Sequence, residues 1–297
     1  MASDKTILVT GANGQLGNGF RSVVLFYQGY KFLFVNKQEL PIENIEALKK
    51  YFTAHSFNYC INCAAYTAVD KAETEKESAF AINAAAVANL SAICNEFNVQ
   101  LIHISTDYVF DGAARQPYKE TDNTNPLNIY GQSKLKGEEV ALQNNPDTII
   151  IRTSWVYSYY GNNFVKTMLR LMKEREAINV VNDQYGCPTY AGDLAVAIME
   201  IIEKYSMLNA QSSTLPSGRR VFNYCNEGVI TWYDFAVAIK ELTQSNCIIN
   251  AIPATQYPTP AKRPQYTALD TSLIKNTFGL QIPNWKESLK KCLLLLK

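Results

Sequence analysis

The sequence has almost no excess of charge of either sign. Its 297 residues include 28 Lys and Arg against 27 Asp and Glu, which gives a formal net charge of +1. A nearly neutral chain creates no long-range field that attracts nucleic acid or an anionic membrane surface. We therefore expect neither kind of partner, and we expect any anionic ligand to be held by a local site.

Metal-binding residues and membrane-like runs are also scarce. There are two His and seven Cys, and the pair Cys60 and Cys63 is followed by no second pair at zinc spacing. An odd number of scattered cysteines indicates reduced thiols. No apolar run approaches 18 residues, and Met1 to Lys5 lacks the charged and apolar regions of a signal peptide. These absences predict structural cysteines, no membrane segment and a cytoplasmic location.

A glycine-rich turn follows the first predicted strand, Thr6 to Thr10, and leads into a predicted helix, Phe20 to Tyr27. Glycines let the backbone approach a pyrophosphate, and a helix N-terminus offers free N–H groups and a partial positive charge. Strand, turn and helix in this order are the context that a dinucleotide site requires. The turn residues predicted to bind a dinucleotide are Gly11, Asn13, Gly14, Gln15, Leu16 and Gly17.

Strand and helix patterns alternate through the first 155 residues and then loosen, and 47% hydrophobic residues suffice for a sizeable core. We therefore predict an α/β fold, a Rossmann-type doubly wound parallel sheet with a second, smaller α/β substrate domain. The first domain is expected to span residues 1–155 and to receive later segments near residues 178–225. The second is expected to span mainly residues 156–297. Gln211 to Arg220, rich in Ser, Gly and Pro, predicts an exposed loop.

Residues with catalytic potential follow the fourth predicted strand, Val99 to Ile104. If Tyr130 opens a helix, Lys134 lies one turn along on the same face. A nearby ammonium lowers the pKa of a phenol, which makes a usable general acid. Thr106, at the end of the strand, is placed to hold the substrate oxygen that Tyr130 protonates.

The spacing of Tyr130 and Lys134 is a weak motif by itself, because it should arise roughly once by chance in a chain with so many tyrosines. Tyr27 and Lys31 share the spacing, but no strand ending in Ser-Thr precedes them. A solvated helix start is the alternative interpretation of Tyr130 and Lys134. Small residues after the third predicted strand, Asn58 to Cys63, favour a cofactor wall at Ala64, Ala65 and Tyr66.

Several runs together resemble the dTDP-4-dehydrorhamnose reductases, a family of extended short-chain dehydrogenases. The resemblance covers essentially the whole chain. The runs that carry it are Thr10 to Gly17, Asn62 to Glu73, Ser105 to Phe110, Tyr130 to Lys134, Arg152 to Tyr157, Asp183 to Thr189, and Arg263 with Pro264.

The resemblance implies hydride transfer from a nicotinamide cofactor to the C4 ketone of a dTDP-linked 6-deoxy-hexulose, giving dTDP-L-rhamnose. It implies that Tyr130 donates the proton, that Lys134 binds the nicotinamide ribose and tunes Tyr130, and that Thr106 positions the carbonyl. It also implies that Tyr108 and Trp155 flank the sugar and that Arg263 is a phosphate contact. The full set of substrate residues so implied is Val69, Asp70, Thr106, Asp107, Tyr108, Trp155, Gln184 and Arg263.

Two departures from the family pattern bear on the cofactor and on metals. Asn36 and Lys37 stand after the second strand, where relatives often carry an acid that would bind the ribose 2′-hydroxyl and repel a 2′-phosphate. We therefore expect use of both NADPH and NADH, with a modest preference for NADPH. Gly19 stands where some relatives carry a glutamate associated with a metal-bridged dimer, so we expect no metal, and either a monomer or a homodimer.

Two other functional classes remain open. A regulatory subunit like that of methionine adenosyltransferase resembles this family and binds the dinucleotide, although the intact Thr106, Tyr130 and Lys134 argue against that role. The other alternative is a nucleotide-sugar epimerase or dehydratase. Dehydratases tend to carry an acidic pair after the Ser/Thr strand, whereas here Asp107 is followed by Tyr108.

Overall fold

The structure is a computed structural model that describes residues 5–210 and 220–296. Nearly all of the loop predicted at Gln211 to Arg220 lies outside the described residues. A six-stranded, all-parallel sheet organises the first half of the chain, in the order β10-β5-β4-β3-β1-β2. Its strands are β1 (Lys5–Thr10), β2 (Tyr30–Phe34), β3 (Tyr59–Asn62), β4 (Gln100–Thr106), β5 (Ile149–Thr153) and β10 (Val221–Asn223).

Side chains on alternate positions of the central strands enter two different hydrophobic layers, as expected of a sheet covered on both faces. Ile7 and Val9 pack in one layer and Leu8 in the other. The first layer is completed by α1 (Gln15–Val23), α8 (Ala191–Ala210) and α10 (Ser272–Phe278), and the second by α2 (Ile45–Ala54) and α5 (Ala86–Glu96). The predicted α/β Rossmann-like class is therefore confirmed.

The helix predicted over Lys71 to Phe97 is broken into pieces. They are α3 (Val69–Ala72), α4 (Lys76–Phe80), a π-helical turn (Ala81–Ala85) and α5. The turn contains Asn83, whose side chain bonds both the N–H and the C=O of Tyr66 and also Ser133 Oγ. These contacts fix the loop after β3 to the helices. Hydrophobic periodicity gives no sign of such contacts, so it does not predict the break in the helix.

The stretch Lys76–Glu96 is long and apolar enough, by length and composition alone, to cross a membrane. This corrects the expectation that no run approaches 18 residues. Half of the stretch is buried inside the protein, and the core helices of soluble proteins meet the same criteria.

The second half of the chain forms small sheets and a separate hydrophobic cluster. Strand β6 (Val156–Tyr157) pairs with β9 (Thr189–Tyr190), β7 (Ala177–Val181) with β12 (Ile248–Ile252), and β8 (Tyr185–Gly186) with β11 (Ile230–Thr231). The helices of this cluster are α7 (Phe164–Glu174), α9 (Trp232–Thr243) and α11 (Trp285–Leu294).

Later segments return to the first sheet only in part. Strand β10 pairs with β5, and α8 crosses α1 so closely that a Cβ on Gly19 would lie 2.9 Å from the carbonyl oxygen of Ala191. The strand predicted near residue 178 does not return, because β7 pairs with β12 instead. The division into two domains near residue 155 stays a prediction.

Candidate active site

Two adjoining cavities lie where the carboxyl ends of β1, β3, β4 and β5 meet. The strand order reverses between β1 and β3, which is the point where open α/β sheets bind ligands. One cavity, of about 310 Å³, extends past the end of β2, and the other, of about 540 Å³, extends past β4 and β5. Asn13, Gly14, Cys63 and Ala65 line both cavities, so the two form one groove with the glycine turn at its middle.

The glycine turn brings the backbone of β1 against the loop after β3. Gly11 has a positive φ of 63°, and a Cβ there would lie 2.6 Å from the backbone of Cys63 and Ala64. A Cβ on Gly17 would lie 2.7 Å from Ala12, so Gly17 serves the packing of α1 on the strand and lines neither cavity. Helix α1 begins at Gln15 and not at the predicted Phe20, which directs its first N–H groups into the groove.

Besides Asn13 and Gly14, the turn residues Gln15 and Leu16 line the larger cavity. The side chain of Gln15 also joins the turn to the second half of the chain. Its amide donates to the carbonyl oxygen of Val156, and its oxygen accepts from Ser158 and Asn163. A cofactor held by this turn would therefore also order the 156–163 loop beside the cavity.

The residues after β2 line the smaller cavity, but Lys37 is already paired there. Its ammonium lies 2.7 Å from a carboxylate oxygen of Glu43, and the Lys37 side chain is 67% exposed. Burial is the largest single influence and acts to raise the pKa of Glu43, but the hydrogen bond and charge of Lys37, together with a backbone hydrogen bond, outweigh it and lower that pKa. Asn36 accepts from the N–H groups of Gln38 and Glu39. Asn36 and Lys37 both line this cavity, so their contact with the cofactor ribose stays a prediction, and Glu43 is a lining residue that the sequence did not reveal.

The predicted cofactor wall after β3 is partly present. Ala64 and Ala65 line the groove, and Ala64 N–H donates to the side chain of Asn62. Tyr66 lines neither of the two cavities, because its backbone is held by Asn83 and its hydroxyl donates to Glu75. Tyr66 is thus corrected to a residue that fixes the loop.

Tyr130 and Thr106 meet at the larger cavity. Asn128 caps helix α6 (Ile129–Asn144) by accepting from Gly131 N–H, which places Tyr130 in the first turn. A Cβ on Gly131 would lie only 2.2 Å from the carbonyl oxygen of Tyr108, so glycine is required for this approach. Thr106 and Tyr130 both line this cavity, and the rings of Tyr108 and Tyr130 pack edge to face with centroids 5.8 Å apart.

The chain alone does not lower the pKa of Tyr130. Desolvation raises that pKa to about 12, the hydrogen bond with Thr106 opposes the shift, and the charge of Asp107 adds to it. Lys134 does not contribute, because its ammonium donates to the carbonyl oxygen of Ile104 at 2.6 Å. Both residues line the same cavity, and the tuning of Tyr130 by Lys134 stays a prediction.

Lys134 is buried near the ion pair of Glu138 and Arg152, which the sequence did not reveal. Burial lowers its pKa to about 8, while the charges of Glu138 and Cys63 act to raise it. Glu138 accepts from Arg152 through both carboxylate oxygens, and Ser105 donates to the same carboxylate at 2.5 Å. The one signal available in the sequence was Glu138 at position i+4 from Lys134.

The residues predicted to bind the substrate divide into two groups. Thr106, Asp107 and Trp155 line the larger cavity. Trp155 has a positive φ of 47° and stacks on Trp232 with ring centroids 3.5 Å apart. The remaining predicted substrate residues do not line it, namely Val69, Asp70, Tyr108, Gln184 and Arg263.

Arg263 is paired with Asp70. Two guanidinium nitrogens donate to the Asp70 carboxylate at 2.8 and 3.0 Å, and Ala261 N–H donates to it as well. The Arg263 hydrogen bond lowers the pKa of Asp70 despite the opposing effect of burial. This ion pair joins the extended segment before Pro264 to α3, and the expected phosphate contact stays a prediction.

Within residues 5–210 and 220–296, no group of three or more His, Cys, Asp or Glu is placed to hold a metal. All seven cysteines are free thiols. His103 is fully buried, its Nδ1 bonds to Asn62, and burial lowers its pKa. The surroundings of His103 and of the cysteines are those of structural residues.

A sequence model of the family described as the RmlD substrate binding domain matches residues 5–297. A dTDP-4-dehydrorhamnose reductase of Aggregatibacter actinomycetemcomitans is 41% identical over 290 residues, covering 96% of this chain and 97% of that protein. This chain belongs to the dTDP-4-dehydrorhamnose reductase family. Among solved structures of the family, the protein of Clostridium acetobutylicum is 40% identical with a TM-score of 0.90, over 98% of this chain and 99% of that one. The Bacillus anthracis reductase, solved in complex with NADP, is 35% identical with a TM-score of 0.89 and the same coverage.

Proposed function

We propose that this chain reduces the C4 ketone of dTDP-4-dehydro-6-deoxy-L-mannose to give dTDP-L-rhamnose, with a reduced nicotinamide dinucleotide as hydride donor. The observation that carries the proposal is the convergence of Thr106, Tyr130 and Lys134 in one cavity that continues to the glycine turn. Its family relatives, named as reductases of this substrate, support the choice of sugar.

The residues of the groove fit a dinucleotide. The turn at Gly11 and Gly14 would receive the pyrophosphate, because no side chain blocks the backbone and the first N–H groups of α1 face the groove. Ala64 and Ala65 leave room beside it, and Asn36 lies at the ribose end. The bound dinucleotide supplies the hydride.

The protein side chains hold and deliver the proton. Tyr130 keeps its proton at neutral pH, because its pKa lies near 12, and releases it only when a stronger base forms. An alkoxide at C4 of the sugar is such a base. Thr106, which lines the same cavity, holds the same oxygen in line. The Lys134 ammonium donates to the carbonyl oxygen of Ile104 on β4 and supplies positive charge to the ribose side of the cavity.

The substrate site extends from Trp155 towards Tyr108. Trp155 lines the cavity with a flat apolar ring, which suits a sugar face, and Trp232 stacks on Trp155. A substrate diphosphate that reaches Arg263 would have to displace the Asp70 carboxylate. A diphosphate would accept from the same guanidinium donors that now bond the Asp70 carboxylate, so one acceptor can directly replace the other.

Either form of the cofactor is expected to bind, with a modest preference for NADPH. Asn36 offers an amide to either ribose, while Glu43 already neutralises part of the charge that Lys37 would offer to a 2′-phosphate. The preference is therefore expected to be small.

The test is a coupled assay. dTDP-glucose is converted by the preceding dehydratase and epimerase, and loss of reduced cofactor absorbance is followed at pH values from about 6 to 9. Tyr130→Phe should lower kcat by about 10² to 10⁴ while leaving cofactor binding largely intact, because only the proton is removed. Tyr27→Phe, at the other Tyr-x-x-x-Lys spacing, is the matched control. Absence of cofactor oxidation by the unaltered protein, or equal rates for Tyr130→Phe and Tyr27→Phe, would contradict the proposal.

A further inference from the structure

The larger cavity is lined by the glycine turn, through Gln15, and by the loop between β6 and α7, through Gly161 and Asn162. A pair of side chains 148 residues apart in the chain joins these two segments, because the Asn163 amide nitrogen donates to the Gln15 oxygen at 2.9 Å. The Gln15 amide nitrogen donates in turn to the carbonyl oxygen of Val156 at 3.2 Å. Both ends of the loop are therefore tied to one side chain of the glycine turn.

Asn163 makes the bonds that close this loop. The second hydrogen of its amide nitrogen goes to the carbonyl oxygen of Ser158 at 2.7 Å, and its side-chain oxygen caps α7 by accepting from Lys166 N–H. The Ser158 hydroxyl has a single hydrogen and lies nearer the carbonyl oxygen of Tyr160 than the oxygen of Gln15, so Asn163 supplies the main donor to Gln15. Asn163 itself lines neither cavity.

The loop begins beside a strained residue of the proposed sugar site. Trp155 lines the cavity with a φ of 47°, a left-handed conformation that is costly for a bulky side chain and persists only where its neighbours hold it. The carbonyl oxygen of Trp155 accepts from Thr189 N–H at 3.3 Å, and the next residue, Val156, is held by Gln15. The position of the Trp155 ring thus depends in part on the side chain of Gln15.

We propose that Asn163 is a positioning residue that couples binding of the dinucleotide at the glycine turn to binding of the sugar nucleotide at Trp155. The inference rests on the proposed function. Gln15, once restricted by a dinucleotide at the turn, restricts the loop through its bonds to Val156 and Asn163. The sugar nucleotide then meets a loop that is already ordered, which lowers the entropic cost of binding. Because coupling between two sites is reciprocal, each ligand should strengthen binding of the other by the same factor.

The variants Asn163→Ser and Asn163→Asp test this coupling, because each keeps an oxygen that can cap α7 and loses the amide donor. Isothermal titration calorimetry gives the Kd of NADPH and of dTDP-L-rhamnose, each alone and in the presence of the other. This pair of ligands cannot react, since the sugar has no ketone. In the unaltered protein, NADPH should strengthen binding of dTDP-L-rhamnose by about fivefold or more. Both variants should lower that factor by about threefold or more, as expected for one lost hydrogen bond, while the Kd of NADPH alone changes by less than about threefold.

Asn284→Ser is the matched control. Asn284 caps α11 by accepting from Lys286 N–H and lines neither cavity, so its coupling factor should equal that of the unaltered protein. Steady-state kinetics add a second measurement. In Asn163→Ser the KM of the sugar nucleotide should rise by about threefold or more while kcat stays within about threefold, because Tyr130 and Thr106 are unchanged.

Several results would overturn the inference. One is binding of both ligands to the unaltered protein without any coupling. Another is the same coupling factor in the unaltered protein and in both Asn163 variants, which would leave Asn163 with a structural role only. Equal losses of coupling in Asn163→Ser and Asn284→Ser, or a fall of kcat at unchanged KM in Asn163→Ser, would overturn it as well. If the unaltered protein binds NADPH but not dTDP-L-rhamnose, the proposed function itself fails, and this inference fails with it.

Discussion

Replacing Glu138 by Gln is expected to cost about 3 to 5 kcal/mol of folding stability, because it leaves the Arg152 guanidinium buried without a countercharge. The two side chains are 4% and 6% exposed. Arg152 donates to Glu138 at 2.7 and 3.0 Å, and its Nη1 has no other hydrogen-bond partner among the described residues. A Gln side chain offers one acceptor where the carboxylate offers two, and its amide hydrogens face the guanidinium donors.

Thermal unfolding measures this loss. At about 2 °C per kcal/mol for a chain of this size, the Tm of Glu138→Gln should fall by about 6 to 10 °C. The neighbouring Glu139→Gln is the matched control, because Glu139 pairs with Lys136 at the surface, where both side chains are about half exposed. An exposed pair contributes about 0 to 1 kcal/mol, so the control should fall by about 2 °C or less.

A double variant decides whether the buried charge is the cause. Glu138→Gln combined with Arg152→Met removes both charges, and its Tm should recover most of the loss, because an apolar replacement of a buried ion pair is often close to neutral. Equal Tm losses for Glu138→Gln and Glu139→Gln would refute the reasoning. A double variant with the sum of the two single losses would refute it as well.

Two further predictions concern the cofactor and the pH dependence. Lys37→Ala should change the ratio of kcat/KM for NADPH and NADH by less than about tenfold, and by still less at high salt. Glu43→Gln should release Lys37 and raise the preference for NADPH. A preference of the unaltered protein for NADH above about tenfold would contradict both expectations. The kcat of the unaltered protein should fall as pH rises through the lowered pKa of Lys134, about 8, because the ammonium is charged only below it; a kcat profile that stays flat to pH about 10 would contradict a role for that charge.

The sheet and the helix of Tyr130 could be predicted because their determinants are local. Strands β3 and β5 are short and fully buried, and β5 is rich in β-branched residues, which distinguishes them from the helices between the strands. Asn128 was available as the cap that starts α6. The start of α1 could not be found in the same way, since Gly17 and Gly19 have low helix propensity and their helix is held by close packing on Ala12 and Ala191.

The ionic partners of the site could not be predicted because they depend on distant contacts. Arg263 and Asp70 are 193 residues apart in the chain and meet only when the segment before Pro264 folds over α3. Lys37 and Glu43 are close in sequence, but nothing in the pattern shows that the loop between them turns back. The sequence assigns these charged groups to ligands, whereas in the structure Lys37 pairs with Glu43 and Arg263 with Asp70.

The end of β4 shows how one strand sets opposite charge states on neighbouring groups. The carbonyl oxygen of Ile104 holds the Lys134 ammonium, and the charge of Glu138 one turn along α6 helps that ammonium to remain protonated despite burial. At the other end Asp107 has no cation to stabilise its carboxylate, so burial favours the neutral acid. Thr106 lies between these two groups and contacts Tyr130. A cation and a neutral acid thus lie on either side of the proton donor, and neither takes the Tyr130 proton before a substrate alkoxide forms.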